Sequence, residues 1–62
     1  MSIFDIFKTI REEKVIRDGK ETTISIVRVQ EQHGADYYVY VGSALQRVCP
    51  SIGMADEIYA GL

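Results

Sequence analysis

Residues 37–50 read YYVYVGSALQRVCP, and this stretch decides the fold. Tyr37, Val39 and Val41 point one way along an extended chain, while Tyr38 and Tyr40 point the other. From Tyr37 to Val41, β-branched and aromatic residues at every position make the strongest strand signal in the sequence. Gly42-Ser43 suits a type II′ hairpin turn, with glycine at the first central position. Ala44 to Cys49 then returns as a second strand, with a helix over Ser43 to Val48 as the competing reading. Pro50 ends the element, because it lacks an amide donor and restricts the residue before it.

Working outward, Thr22 to Gln30 reads as a long strand whose pattern slips once. Ile24 and Ile26 share one face, and Val27 and Val29 share the other. Either a bulge shifts the register near Val27, or both faces are partly covered. His33-Gly34-Ala35-Asp36 between the two strands reads as a turn. Upstream, Lys14 to Arg17 fits a short strand, joined to the long one by Asp18-Gly19. That dipeptide suits a type I′ turn, whose two central residues both need positive φ.

Both ends of the chain read as helices. Ser2 with Asp5 makes a capping box, and Ile3, Ile6, Phe7 and Ile10 form an i, i+3, i+4, i+7 stripe. This first helix should stop near Glu13 or Lys14, before Val15 and Ile16 swing onto its polar side. Ser51 caps the last helix, whose apolar stripe is Ile52, Ala55, Tyr59 and Leu62, with Ile58 beside it. Gly61 suits its C-terminal cap. The expected fold is α+β, one domain over residues 1–62. It is a small antiparallel sheet of three to four strands, with an N-terminal and a C-terminal helix packed on one face.

Length limits what holds such a domain together. A chain of 62 residues buries only roughly 60% of its unfolded surface. Domains this small usually lean on disulfides, a metal or a partner chain. The single cysteine, Cys49, excludes an internal disulfide, and one histidine with one cysteine cannot close a tetrahedral zinc site without carboxylates. Good packing or a homodimer remains. No metal or other cofactor is expected. The composition, 47% hydrophobic and 26% charged, is globular. The cysteine usage fits a cytoplasmic setting. The first residues do not resemble a signal peptide, and no apolar run reaches membrane-spanning length, so no membrane partner is expected.

No catalytic set emerges. His33 with Asp36 has the residue types of a base and its orienting acid, but no nucleophile is placed to receive it. Ser43 lacks the second glycine of a nucleophile elbow and reads as a turn residue. Cys49 reads as a small apolar residue at the end of a strand. Asp56 and Glu57 diverge on a helix and cannot converge on one substrate. The chain is therefore read as not an enzyme.

Two surfaces are left. Tyr38 and Tyr40 face away from the helical layer, where an open sheet face normally carries polar groups. With Phe4 as a further anchor and Arg28 and Arg47 at the rim, they form the candidate protein-binding site. The function expected is a small protein-binding module that sterically blocks a partner of unknown identity. Phage- or mobile-element-encoded inhibitors, anti-CRISPR proteins among them, are often of this size and charge. The alternative is a nucleic-acid binder. In it Tyr38 and Tyr40 stack on bases, and Lys8, Arg11, Arg17 and Arg28 meet phosphates. Lys8, Arg11, Lys14, Arg17 and Lys20 recur every third residue. Residues 1–30 hold six basic and five acidic groups, a net of +1, and residues 31–62 one and four, a net of −3. The whole-chain charge of −2 disfavours nucleic acid.

Overall fold

The computed structural model describes residues 6–62. Four strands, β1 (Phe7–Arg17), β2 (Lys20–Glu31), β3 (Gly34–Val41) and β4 (Ala44–Cys49), precede a helix, α1 (Ile52–Ala60). The strands pair in chain order as an antiparallel meander. Residues 44–49 are strand, not helix. The class is α+β, with a four-stranded sheet and a C-terminal helix.

The expected N-terminal helix is corrected over residues 7–14, which are the first eight of the 11 residues of β1. Ser2, Ile3, Phe4 and Asp5 lie outside the described residues. The helical stripe that Phe7 and Ile10 were taken to share does not form. Both are exposed, at 50% and 39%. Pairing explains the change. The Asp18-Gly19 turn folds β1 back onto β2, with Asp18 at φ 52 and Gly19 at φ 75, as a type I′ turn requires. From that anchor the ladder runs without a break from Arg17–Lys20 down to Arg11–Ile26. Ile10 is then an extra residue, and pairing resumes at Thr9–Val27 and Phe7–Val29. This bulge hides the strand from a period-2 reading. Thr9 and Phe7 fall on one face, and Arg11, Glu13 and Val15 on the other.

The slip in β2 has the second of its two causes. β2 and β3 pair without any shift from Ile24–Val41 to Glu31–Gly34. Ile24 and Ile26 face α1, while Val27 and Val29 lie on the opposite face, and Val29 is itself only 5% exposed. The β2–β3 turn is narrower than expected. Gln32-His33 forms it, and Gly34, Ala35 and Asp36 already belong to β3.

The core sits between the sheet and α1. Ile26, Val39, Cys49 and Ala55 have no exposure, and Ile24 and Tyr59 almost none. Val15, Tyr37, Val41, Ile58 and Leu62 pack around them. Cross-strand partners point to the same side of a sheet, so Ile26 opposite Val39 and Ile24 opposite Val41 form one continuous apolar surface. α1 begins where expected, with Met54 N donating to Ser51 Oγ at 3.3 Å. Ala55 and Tyr59 carry its packing. Ile52, expected in the stripe, is 41% exposed. Gly61 ends the helix, its amide donating to the Glu57 and Ile58 carbonyls.

α1 packs on β2, β3 and β4. Arg11 ties it to the edge strand β1. Its Nη1 donates to Asp56 Oδ1 at 3.2 Å, its Nη2 lies 3.7 Å from Glu13 Oε1, and its Cζ stands 4.1 Å from the Tyr59 ring centroid. β1 and β2 run on past β3, since Val41 is the last residue of β3 and pairs with Ile24. Residues 14–17 and 20–23 thus form a two-stranded ribbon, and the molecule is a slab of about 40 × 23 × 15 Å.

The Tyr59 hydroxyl is buried without a hydrogen-bond partner. Desolvation raises its pKa above 10.0, and the nearby Glu13 carboxylate adds to the effect. A raised pKa means that the neutral phenol suits the fold. Stability is complete below the unfolded value and falls as pH climbs through the folded one. Tyr59→Phe removes that titration. In urea melts Tyr59→Phe should be the more stable already at neutral pH, by about 1 kcal/mol for the unsatisfied hydroxyl it removes, and its advantage over the wild type should widen above pH 10.0. Parallel curves across that range would refute the assignment. Gly42, at φ 61, starts the β3–β4 turn, and its amide donates to the Thr23 carbonyl at 2.6 Å. A Cβ there would meet nothing within 4 Å. Gly42→Ala should therefore cost about 1 kcal/mol from backbone strain alone, read as a lower urea midpoint.

Candidate functional site

Strand alternation assigns every side chain of the sheet to one of two faces. α1 covers the core on one of them. Among the described residues no element packs against the other. Tyr38 and Tyr40 stand on this open face, half-buried, with ring centroids 6.4 Å apart and planes tilted by 31°. Val27 of β2 and Val48 of β4 flank Tyr38, and Ser25 and Leu45 flank Tyr40. Phe7, opposite Val29, extends the patch across β1. Leu45 and Val48 are 47% and 46% exposed, and Ile16 on the ribbon, which falls on the same face, is 79% exposed. The bare side of an antiparallel sheet is usually polar. This one is aromatic and aliphatic across its middle.

The other expected members of the site are elsewhere. Phe4 lies outside the described residues. Arg28 is opposite Tyr37, and Arg47 is opposite Val39, so both belong to the helix-bearing face. Arg28 Nη2 donates to Gln30 Oε1 at 2.7 Å, as two residues on one side of a strand can. Neither arginine rims the tyrosines. Instead the rim holds Glu12, Lys14, Glu21, Glu31 and Asp36.

The residues named for nucleic-acid binding are divided in the same way. Lys8, Arg11, Arg17 and Arg28 are on the helix-bearing side, with Lys20 and Arg47, so six of the seven basic residues share that side. Lys14, paired with Glu21 at 3.4 Å, is the exception. Base-stacking rings and phosphate-binding groups thus occupy opposite faces of one sheet. Arg11 is further engaged by Asp56 and Glu13. A third-residue spacing alternates between faces on a regular strand, but the bulge at Ile10 and the Asp18-Gly19 turn put Lys8, Arg11, Arg17 and Lys20 on one side and leave Lys14 alone on the other.

His33 stands in the β2–β3 turn between two carboxylates. Nδ1 is 3.7 Å from Glu31 Oε2, and Nε2 is 3.3 Å from Asp36 Oδ2. The three donor atoms lie within 4.8 Å of one another, largely exposed. Asp36 is the nearer partner, and the Glu31 contact is longer than a hydrogen bond. Cys49 is sealed in the core. The described residues enclose no pocket.

Sequence reasoning missed Phe7, Ile16 and Val48 as members of the open face. Phe7 had been placed on a helix, and only the bulge at Ile10 brings it beside Val29. For Val48 a signal existed in the alternation of β4, obscured by a second irregularity between the Val39–Arg47 and Tyr40–Leu45 pairs. No family model matches the chain, and no curated protein or solved structure matches it.

The charge segregation has a measurable cost. Lys8 is directly opposite Arg28, and Arg17 directly opposite Lys20. Like charges so placed repel. Lys8→Glu should turn one such pair into an attraction and stabilise the fold by roughly 0.5 kcal/mol at low salt, with the gain fading as salt is added. An unchanged urea midpoint would show that the two side chains do not sense each other.

Proposed function

We propose that this chain is a small non-enzymatic protein-binding module, and that the open face of its sheet is the binding surface. One observation carries the reading: large apolar and aromatic side chains are gathered on the side of the sheet that α1 leaves bare. Phe7, Tyr38, Tyr40, Leu45 and Val48 lie across all of its outer and inner strands except β2, where Val27 and Val29 fill the gap. Contiguous apolar patches of this kind mark interaction sites. Tyrosine suits such a site because it brings contact area with few rotors and keeps a polar tip.

The proposed mode of action is occupancy. The module covers a surface of another chain and so denies it to others, as a steric inhibitor of the anti-CRISPR kind would. Catalysis plays no part in this reading, in keeping with the sealed Cys49. Nucleic acid is the weaker alternative, because the tyrosines and the basic groups cannot meet one strand on one face.

Tyr38→Ala together with Tyr40→Ala should leave the circular dichroism spectrum unchanged and abolish capture of protein partners from a lysate of the native host. Nuclease treatment should not alter what the wild type captures. Undiminished capture by the double variant would overturn the site, and nuclease-sensitive capture would favour the alternative.

A further inference from the structure

We infer that the open face pairs with a second copy of this chain, an inference that rests on reading that face as a binding surface. Three observations point to a copy as the occupant. The first is the one-sidedness of the core. Among the described residues six of the seven buried side chains lie between the sheet and α1, Val29 alone being buried on the open face, and the lone cysteine cannot form an internal disulfide. A domain this small gains most from a partner that is present whenever the chain itself is present.

The second is area. Four strands about 4.8 Å apart, over roughly eight residues of about 3.4 Å rise, make a face on the order of 500 Å². Specific complexes cover roughly 800 Å² on each partner, and weak ones less than about 600 Å². The face alone therefore supports a weak pair. The ribbon adds to it, because Ile16 stands 79% exposed on this same side, beyond the end of β3. In a two-fold stack each ribbon can overhang the other copy and cover Ile16.

The third is shape. No side chain on this face lines a pocket, and the described residues enclose none. Flat sheet faces pack on one another at a spacing of about 10 Å, with side chains interdigitating. The same surface on both partners satisfies the symmetry of a two-fold dimer. The outcome is a sandwich of two sheets with α1 and the basic groups on each outer side.

Sedimentation equilibrium on the purified full-length chain, from micromolar to millimolar concentration, tests this. A mass rising from monomer to dimer is expected. Leu45→Glu and Val48→Glu, each checked for folding by circular dichroism, should keep the chain monomeric, and Ile52→Glu on the exposed side of α1 should not. Added salt should strengthen the pairing, since each face brings Glu12, Glu21, Glu31 and Asp36 against a single lysine. A monomer at millimolar concentration overturns the inference. So does a dimer that both glutamate variants leave intact, or one that salt dissolves. A monomer that still loses its captured partner in the Tyr38→Ala, Tyr40→Ala variant would sink self-pairing and leave the binding reading standing. Nuclear Overhauser contacts from Phe4 to Tyr38 in a monomer would identify the chain's own first residues as the occupant, again against a second copy.

Discussion

Ile26 and Val39 face each other across β2 and β3 without exposure to solvent, and Cys49, Ala55 and Tyr59 close over them. This contact sets the parity of the sheet. A strand shifted by one residue turns all its side chains over. Once Ile26 and Val39 face α1, Tyr38, Tyr40, Val27 and Val29 must face away. The candidate surface follows from the core by that constraint.

The same parity sorts the charges. Lys8, Arg11, Arg17, Lys20, Arg28 and Arg47 fall on the side of α1, and Glu12, Glu21, Glu31 and Asp36 on the other. A net charge of −2 conceals this division. It separates the rings from the cations, and so weighs against one ligand that needs both. It also leaves two like-charge pairs at opposite ends of the β1–β2 ladder. Arg28 is held on its own strand by Gln30, and Arg11 joins the edge strand to Asp56 and to the Tyr59 ring.

Much of the architecture was legible in the residues. Strong alternation exposed β3. Asp18-Gly19, Gly42-Ser43 and Pro50 marked its punctuation, and Ser51 marked the start of α1. Each of these is a local signal, set by backbone conformation within a few residues. β1 was not legible. Its residues carry a partial helical stripe, and as an exposed edge strand it has no burial pattern to betray it. The bulge at Ile10 then inverts what alternation remains. Its strand state comes from β2, through ten paired positions, and a partner at that distance along the chain leaves no mark on β1 itself. The rim of the site failed for a related reason. Arg28 and Arg47 are close to Tyr38 and Tyr40 in neighbouring strands, but register, which no single strand contains, turned them to the other face.

By itself the sequence determined the turns, the β2 to β4 meander, the last helix and the outward set of Tyr38 and Tyr40, because φ preferences and period-2 alternation act over short spans. Tertiary structure alone decided that Phe7 to Lys14 is extended, that the open face is apolar from β1 to β4, and that the basic groups lie behind it. Those are properties of pairing between strands, where one inserted residue changes which side every later side chain occupies.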